Sequence, residues 1–262
     1  DLVPVVDSGG EIVNVLTWDR DSAKVDREEK GKLSIPVVIM AGGMGTRLEP
    51  FTKVLPKPLL PVNEKPIIEH IIEKFTRTGV DQFYLTVNYK SRILKAFFEE
   101  LQPTYSINFI EENEPLGTAG SLSQLSGKVD DDIFVTNCDV IVDIDYSDLL
   151  EFHRENGHLL TLVASTKDYV IPYGACHLNK DGHLDHIDEK PKYEFLVNAG
   201  LYVLNPSLLD IIPDKKRYDI TDLIAHLLEL GESVGVYPIV ESSWIDIGEW
   251  SEYRKAVESF VI

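Results

Sequence analysis

The chain has 262 residues, 44% of them apolar, which is enough for one large core and excludes disorder as its dominant state. Its 25 basic and 44 acidic side chains give a formal charge of −19, a field that repels polyanions and argues against nonspecific nucleic-acid or acidic-membrane binding. Two cysteines, Cys138 and Cys176, provide neither a zinc cluster nor a disulfide scaffold, and no apolar run approaches the length of a membrane span. No basic segment leads into an apolar stretch at the start, so a cytoplasmic protein with no membrane partner is expected. The opening has no Met and falls inside a strand pattern, so further residues are expected upstream.

Residues 2–6 and 11–16 are β-rich runs separated by Ser8-Gly9-Gly10, a hairpin signal. Residues 19–32 are polar and charged and read as a linker or a solvent-facing helix. Residues 35–40 form a nearly continuous apolar run that enters Gly42-Gly43, the pattern of a central strand covered on both faces. Pro66 opens a helix with Ile67, Ile68, Ile71, Ile72 and Phe75 on its apolar face, ending near Gly79. Strands are predicted at 82–87, 105–110, 133–136 and 160–164, alternating with helices at 91–101, 118–127 and 146–155. This βαβ series predicts an α/β fold with a doubly wound, mostly parallel, Rossmann-like sheet.

The second half changes character. Residues 174–178, 183–187 and 197–204 read as strands, the first two joined by the turn Asn179-Lys180-Asp181-Gly182. Helices near 206–211 and 220–230, a strand at 234–239 and a helix from about Trp250 complete the chain. A strand-rich, acceptor-binding extension of the same domain is therefore expected. Ligands of open α/β sheets lie beyond the carboxyl ends of the strands, so the loops after residues 40, 110 and 136 should converge there.

The strongest signal is residues 39–62, IMAGGMGTRLEPFTKVLPKPLLPV. Gly42, Gly43 and Gly45 permit a tight turn whose backbone N–H groups can surround phosphate oxygens. Arg47 adds a forked cation suited to the β- and γ-phosphates of a triphosphate. The run lacks the Gly-Lys-Ser/Thr ending of a Walker loop and has Leu48 where a dinucleotide fingerprint needs glycine. Lys57 stands between Pro56 and Pro58, a stiff setting that presents it to the α-phosphate or the leaving pyrophosphate. Lys53 reads as a solvent-facing lysine. Asp139, beyond the strand at 133–136, is a natural hard-cation ligand, with Asp143 and Asp145 as nearby alternatives.

These residues resemble the sugar-nucleotidyltransferase family, which includes glucose-1-phosphate thymidylyltransferases and mannose-1-phosphate guanylyltransferases. The resemblance runs from about Ile35 to the C-terminus and rests on GGMGTRL with its PKPLLPV continuation. It implies a glycosyltransferase-A-like version of the fold, with a strand-rich sugar-binding extension. It also implies nucleotide contacts from Ala41, Gly42, Gly43, Gly45, Thr46, Arg47 and Lys57. The second match is ENEPLGTAG at 112–120, where the family's loop reads the base through Glu112, Gly117 and Thr118. Glu112 falls where thymidylyltransferases carry a base-contacting Gln. Guanine presents two donors, N1–H and its exocyclic amine, and a carboxylate is acceptor-only, so Glu112 favours GTP over thymine or uracil nucleotides.

At the acceptor end, Tyr173-Gly174, Glu189-Lys190-Pro191 and Asn198-Ala199-Gly200 resemble the family's sugar segments. The resemblance gives Glu189 to sugar hydroxyls, Lys190 to the sugar phosphate, and Asn198 to a hydroxyl or an N-acetyl group. It places Asp139 and Asp246 around one Mg²⁺. The implied reaction needs no protein nucleophile, since the phosphate of a hexose 1-phosphate attacks the α-phosphorus in line while pyrophosphate leaves. Arg47, Lys57 and Lys190 are the catalytic cations that offset the charge.

Val3-Pro4-Val5-Val6-Asp7, Gly10 and Ile12–Thr17 resemble the closing strands of a CBS module, a nucleotide-sensing regulatory domain. The expected organisation is a partial CBS-like fragment at 1–18, a linker at 19–32 and a catalytic domain at 33–262, with the rest of the CBS region upstream. CBS segments ahead of this catalytic type resemble bacterial enzymes supplying GDP-sugars, including glucosamine-1-phosphate guanylyltransferases of legionaminic acid formation. Glucosamine 1-phosphate is accordingly the expected acceptor. Mannose- or heptose-1-phosphate guanylyltransferases, thymidylyl- or uridylyltransferases and a noncatalytic nucleotide-sugar-binding regulator are the alternatives. The acidic chain is expected to take no nucleic acid, and a homo-oligomer is compatible with the sequence.

Overall fold

The structure, a computed structural model, describes residues 2–6, 12–17 and 32–259. The chain divides into two units, Asp1–Lys32 and Leu33–Ile262. In the first, β1 (Leu2–Val6) and β2 (Ile12–Thr17) pair antiparallel, with Leu2 opposite Thr17 and Val6 opposite Ile12. The turn at 8–10 and the linker or helix expected at 19–32, apart from Lys32, lie outside the described residues.

The second unit opens with β3 (Val37–Met40), then the two-residue strands β4 (Pro61–Val62) and β5 (Lys65–Pro66) and helix α1 (Ile67–Thr76). β6 (Gln82–Val87), α2 (Ser91–Leu101), β7 (Ser106–Glu111), β8 (Ile133–Asn137), β9 (Val140–Val142) and α3 (Tyr146–Glu155) follow. The remainder is β10 (Leu160–Val170), β11 (Gly174–Leu178), β12 (Leu184–Glu189), β13 (Lys192–Leu204), α4 (Ile220–Glu229), β14 (Val234–Ile239), β15 (Trp244–Asp246) and α5 (Trp250–Ser259).

Seven strands form the central sheet in the order β14-β10-β13-β8-β3-β6-β7. Every neighbouring pair is parallel except those made by β13, which runs antiparallel to both β10 and β8. The fold is thus a mostly parallel, doubly wound α/β sheet with additional antiparallel strands. β3 shows why its sequence is apolar without alternation. Val37 and Ile39 enter a core with Ile68, Ile72 and Phe75 of α1, while Val38 and Met40 face a second core with Leu122, Leu223 and Leu227.

Several expected elements differ. The helix predicted at 118–127 is a 3-10 helix at Gly120–Leu125, because the amides of Ala119 and Gly120 both donate to Tyr218 O, at 2.9 Å, rather than opening an α-helical turn. Residues 206–211 form a 3-10 helix at Pro206–Asp210, with the Asn205 side chain accepting from the Ser207 amide. β10 and β13 both run well beyond the buried segments that announced them, pairing from Leu160–Leu204 to Val170–Lys192. β9 and β15, neither expected from the sequence, pair antiparallel with Ile141 opposite Ile245.

Candidate active site

At the carboxyl end of β3 the Ala41 amide donates to Thr86 O at 3.0 Å, extending the ladder by one residue before the chain leaves the sheet. Gly45 takes φ +65°, and a Cβ there would stand 2.9 Å from Thr52 Cγ2 and 3.1 Å from Lys57 Cβ. Both the backbone conformation and the space require glycine. The Thr52 hydroxyl donates to Gly45 O at 3.0 Å, which clamps the turn. Leu48 is fully buried, so the position where a dinucleotide loop would have glycine instead anchors the loop to the core. Thr46 and Arg47 therefore sit on a fixed 3-10 turn, Thr46–Leu48. The Arg47 guanidinium is largely exposed and donates to Glu249 at 3.2 Å.

Lys57 is 8% exposed, and its ammonium donates to the Asp139 carboxylate. The β9–β15 pairing carries Asp246 to the same place, with Asp246 opposite Val140 and the Ile247 amide donating to Asp139 O at 2.8 Å. The two carboxylates flank Gly248, where an added Cβ would lie 2.7 Å from Asp246 Oδ1 and 3.3 Å from Asp139 Oδ2. Burial, first, and the neighbouring Asp139 carboxylate raise the Asp246 pKa, against the opposing pull of the Gly248 amide, Lys57 and Arg47. Burial, assisted by Asp139, pushes the Cys138 thiol up to about 12, so this cysteine stays a neutral wall and is no nucleophile. Asp143 and Asp145 serve elsewhere: Asp143 pairs with Lys74 at 2.8 Å, and Asp145 caps α3 by accepting from the Ser147 and Asp148 amides.

Glu112 follows β7 and is nearly buried. Its Oε2 accepts from the Leu116 amide at 3.2 Å, and its Oε1 lies 3.1 Å from the position of a Cβ on Gly42. The carboxylate thus faces directly across the glycine loop. Gly117 takes φ +79°, with Asp219 Oδ1 only 2.6 Å from its Cβ position. Thr118 is committed to the scaffold, since its amide donates to Asp219 Oδ1 at 3.0 Å and its hydroxyl accepts from the Ile220 amide at 2.8 Å.

Gly42, Gly43, Gly45, Thr46, Arg47, Lys57, Glu112, Gly117, Thr118 and Asp139 are brought together around one cleft of about 390 Å³. Thr86, Asn137 and Gly248 also line it, and sequence reasoning had not singled them out. The Gly248-Glu249 step directly after Trp244-Ile245-Asp246-Ile247 was the available signal for that last position. Ala41 is buried beneath the loop. Tyr173, Gly174, Glu189, Lys190 and Asn198 do not line the cleft, and Asp246 stands behind Gly248 without lining it. Tyr173 is 74% exposed, Glu189 Oε2 lies 3.1 Å from the Cβ position of Gly174, and Lys190 follows β12 with φ +49°. Asn198 bridges the Tyr202 hydroxyl, at 2.8 Å, and the Gly200 amide, at 3.0 Å.

Comparison with known proteins gives the family of the chain. A family model described as Nucleotidyl transferase matches residues 36–260. A mannose-1-phosphate guanyltransferase of Debaryomyces hansenii is 38% identical over 228 residues, covering 82% of this chain and 62% of that protein. One of Yarrowia lipolytica is 36% identical over 225 residues, covering 82% of this chain and 61% of the relative. The chain thus spans about 62% of the length of such relatives. HddC from Yersinia pseudotuberculosis, 28% identical, superposes with a TM-score of 0.68 over 87% of this chain and 100% of its own. The same protein complexed with GMP-PN gives 0.67 at 27% identity, over the same shares of the two chains. Among the described residues, no helix is long and apolar enough to cross a membrane.

Proposed function

The chain belongs to the nucleotidyl transferase family, and from that premise we propose that it transfers GMP from GTP to a hexose 1-phosphate, giving a GDP-sugar and pyrophosphate. The observation that carries the reading is the meeting of the glycine loop, Lys57, Asp139 and Glu112 around one cleft. Loop amides and Arg47 bind the triphosphate. Lys57 neutralises charge on the phosphate under attack. Glu112 Oε1, with its partner oxygen fixed by the Leu116 amide, accepts from the two donors of guanine. Gly117 keeps the base loop close, because any side chain there collides with Asp219.

Asp139 and Asp246 would hold Mg²⁺. Two carboxylates beside a phosphate-sized cleft are a donor set that fits a hard cation which retains waters and takes its remaining ligands from phosphate. When bound, the ion supplies charge compensation for the phosphates. The acceptor enters from the side of β11, β12 and β13, where Glu189 meets sugar hydroxyls, Lys190 meets the sugar phosphate and Tyr173, Gly174 and Asn198 shape the floor.

Mannose 1-phosphate is the favoured acceptor. The relatives of Debaryomyces and Yarrowia carry that activity in their names, and this support moves the reading from glucosamine 1-phosphate, and from legionaminic acid formation, to the guanylyltransferases of mannose. The organisation proposed with it is a CBS-like fragment at 1–18, a linker at 19–32 and the catalytic domain at 33–262, acting in the cytoplasm.

The test is pyrophosphate release with Mg²⁺ across five nucleoside triphosphates and mannose, glucosamine, N-acetylglucosamine and glucose 1-phosphates. Turnover concentrated in GTP with mannose 1-phosphate is expected. Turnover with GTP and only another sugar would refute the acceptor assignment. No release in any pair from folded protein would refute the reaction.

A further inference from the structure

The β11–β12 hairpin has one face that the proposed chemistry does not use. Gly174 lies opposite Glu189, Ala175 opposite Asp188, Cys176 opposite Ile187 and His177 opposite His186. Strand alternation puts Glu189 with Gly174, Cys176 and Ile187 on one face, and His177, His186 and Asp188 on the other. Contact distances agree with this division, since the Cβ position of Gly174 is met by Ile187 and Glu189.

On the second face the two imidazoles stack, with ring centroids 4.2 Å apart and planes within 6°. One donor atom from each of His177, His186 and Asp188 lies within 4.8 Å of the others. Asp188 Oδ2 is 3.0 Å from His177 Nε2 and 3.9 Å from His186 Nε2. A tetrahedral ion with bonds of about 2.0–2.1 Å separates neighbouring ligand atoms by about 3.3 Å. The two observed separations bracket that value, and since a bound ion lies in the plane of each imidazole, one of the stacked rings turns about its Cβ–Cγ bond to share it.

Two details distinguish this group from an ordinary surface ion pair. His177 Nε2 is shielded from solvent and has no hydrogen-bond partner among the described residues, although Asp188 is near, because the pair is out of line for a hydrogen bond. A shielded nitrogen in that condition gains from a ligand that satisfies it. His186 Nδ1 lies 2.9 Å from Asp185 Oδ2. That is the imidazole–carboxylate contact which fixes the tautomer and leaves Nε2 to face a metal.

We propose that His177, His186 and Asp188 bind one divalent transition ion of the zinc class, with Asp185 as the positioning residue for His186. Two imidazoles and one carboxylate suit zinc, cobalt or nickel, whereas Mg²⁺ prefers an all-oxygen octahedron. The ion ties β11 to β12 beside the register shift between His177 and Leu178, and its fourth position is left to water or another donor. This site is separate from the acids Asp139 and Asp246 and does not rest on the nucleotidyl transfer reading.

The experiment uses the tag-free full chain, stripped with chelator and titrated with Zn²⁺ by calorimetry and with Co²⁺ by visible absorption, both in excess Mg²⁺. One ion per chain and the intense ligand-field absorption of tetrahedral Co²⁺ are expected. His177→Asn and His186→Asn should each weaken binding by about 100-fold or more, Asp185→Asn by about 10–100-fold, and Asp139→Asn should leave it unchanged. Melting in chelator verifies that the variants fold. Absence of saturable binding, binding unchanged in both His variants, or binding lost in Asp139→Asn would each overturn the proposal.

Discussion

Glu112→Gln alters one atom of the cleft and leaves the backbone held on both sides. The Glu112 amide donates to Val87 O at 2.9 Å, and its carbonyl accepts from Asn88 Nδ2 at 2.7 Å. In the wild type Oε2 accepts from the Leu116 amide, and on the proposed reading Oε1 accepts from guanine. A Gln at this position has one oxygen and one NH₂. If the oxygen faces Leu116, the NH₂ confronts the guanine donors; if the amide flips, the NH₂ confronts the Leu116 N–H. Either orientation leaves one donor–donor contact in a nearly buried setting, a cost of about 1–3 kcal/mol, or roughly a 5–150-fold loss of kcat/KM for GTP. Thymine presents a carbonyl beside its N3–H, and with the Gln oxygen held by the Leu116 amide the NH₂ donates to that carbonyl, so dTTP should lose nothing. The assay is the ratio of kcat/KM for GTP to that for dTTP at saturating hexose 1-phosphate, with the melting temperature as control for folding. A ratio within about twofold of wild type, below the smallest cost derived above, would refute the assignment of Glu112 to the base.

Gly45→Ala places a Cβ 2.9 Å from Thr52 Cγ2 at a left-handed backbone position, for a combined cost of about 2–5 kcal/mol, while Gly43, with nothing within 4 Å of its Cβ position, should accept Ala within about 0.5 kcal/mol. Urea unfolding midpoints compare the two, and equal midpoints would contradict the steric account. Cys176 is exposed and Cys138 is buried with its thiol pushed up to about 12, so a maleimide near about pH 8 should label native protein at Cys176 alone. Peptide mapping reads the outcome, and rapid labelling of Cys138 in folded protein would contradict it. Burial raises the Asp132 pKa, but the His153 imidazole 3.7 Å from Oδ1 and the hydrogen bond that Arg154 Nε donates to Oδ2 at 2.7 Å outweigh it and hold the carboxyl below its ordinary value. A depressed folded pKa means stability that is present above about pH 4 and lost as pH falls through the folded value. Asp132→Asn should therefore cost about 2 kcal/mol near neutrality, discounted for the half-exposed Arg154. The deficit should close on acidification, and a deficit independent of pH in urea titrations would remove the ionic explanation.

The parts of the site that were legible are those whose chemistry is local in sequence. Glycines followed by Arg47, and Lys57 between two prolines, announce a stiff cationic loop, and the apolar run of β3 announces the strand that delivers it. Asp246 beside Asp139 was reached only through family resemblance, because the β9–β15 pairing that joins them links segments a hundred residues apart and is too short to leave a periodic signal. The false helix at 118–127 has a tertiary cause. Its opening amides are taken by Tyr218 O, and Gly120 packs so closely that a Cβ would stand 2.6 Å from Lys216 O. Thr118 shows the same limit, since its partner Asp219 lies far along the chain. The outer halves of β10 and β13 were missed because they are exposed and carry no burial pattern; ladder hydrogen bonds extend them, with cross-strand contacts of Tyr169 with Phe195 and of Lys192 with Asp168.

That extension makes β13 a beam clamped at one end. Its 13 residues reach about 40 Å at the usual strand rise. The inner part from Ala199 is buried in the sheet, and most of the outer part stands in solvent with β10 as its sole ladder partner. The register shift between Leu162 and Ala164 lies at the root, where a bulge concentrates twist and bend. Displacement of a cantilever grows with distance from its clamp, so flexing at the root would carry Lys190 and Glu189, beyond the outer end of β13, further than Asn198 near the root. On the proposed reading, an acceptor held by Lys190 and Glu189 would be brought toward the cleft by flexing of this one ladder, tuned by side chains near its root.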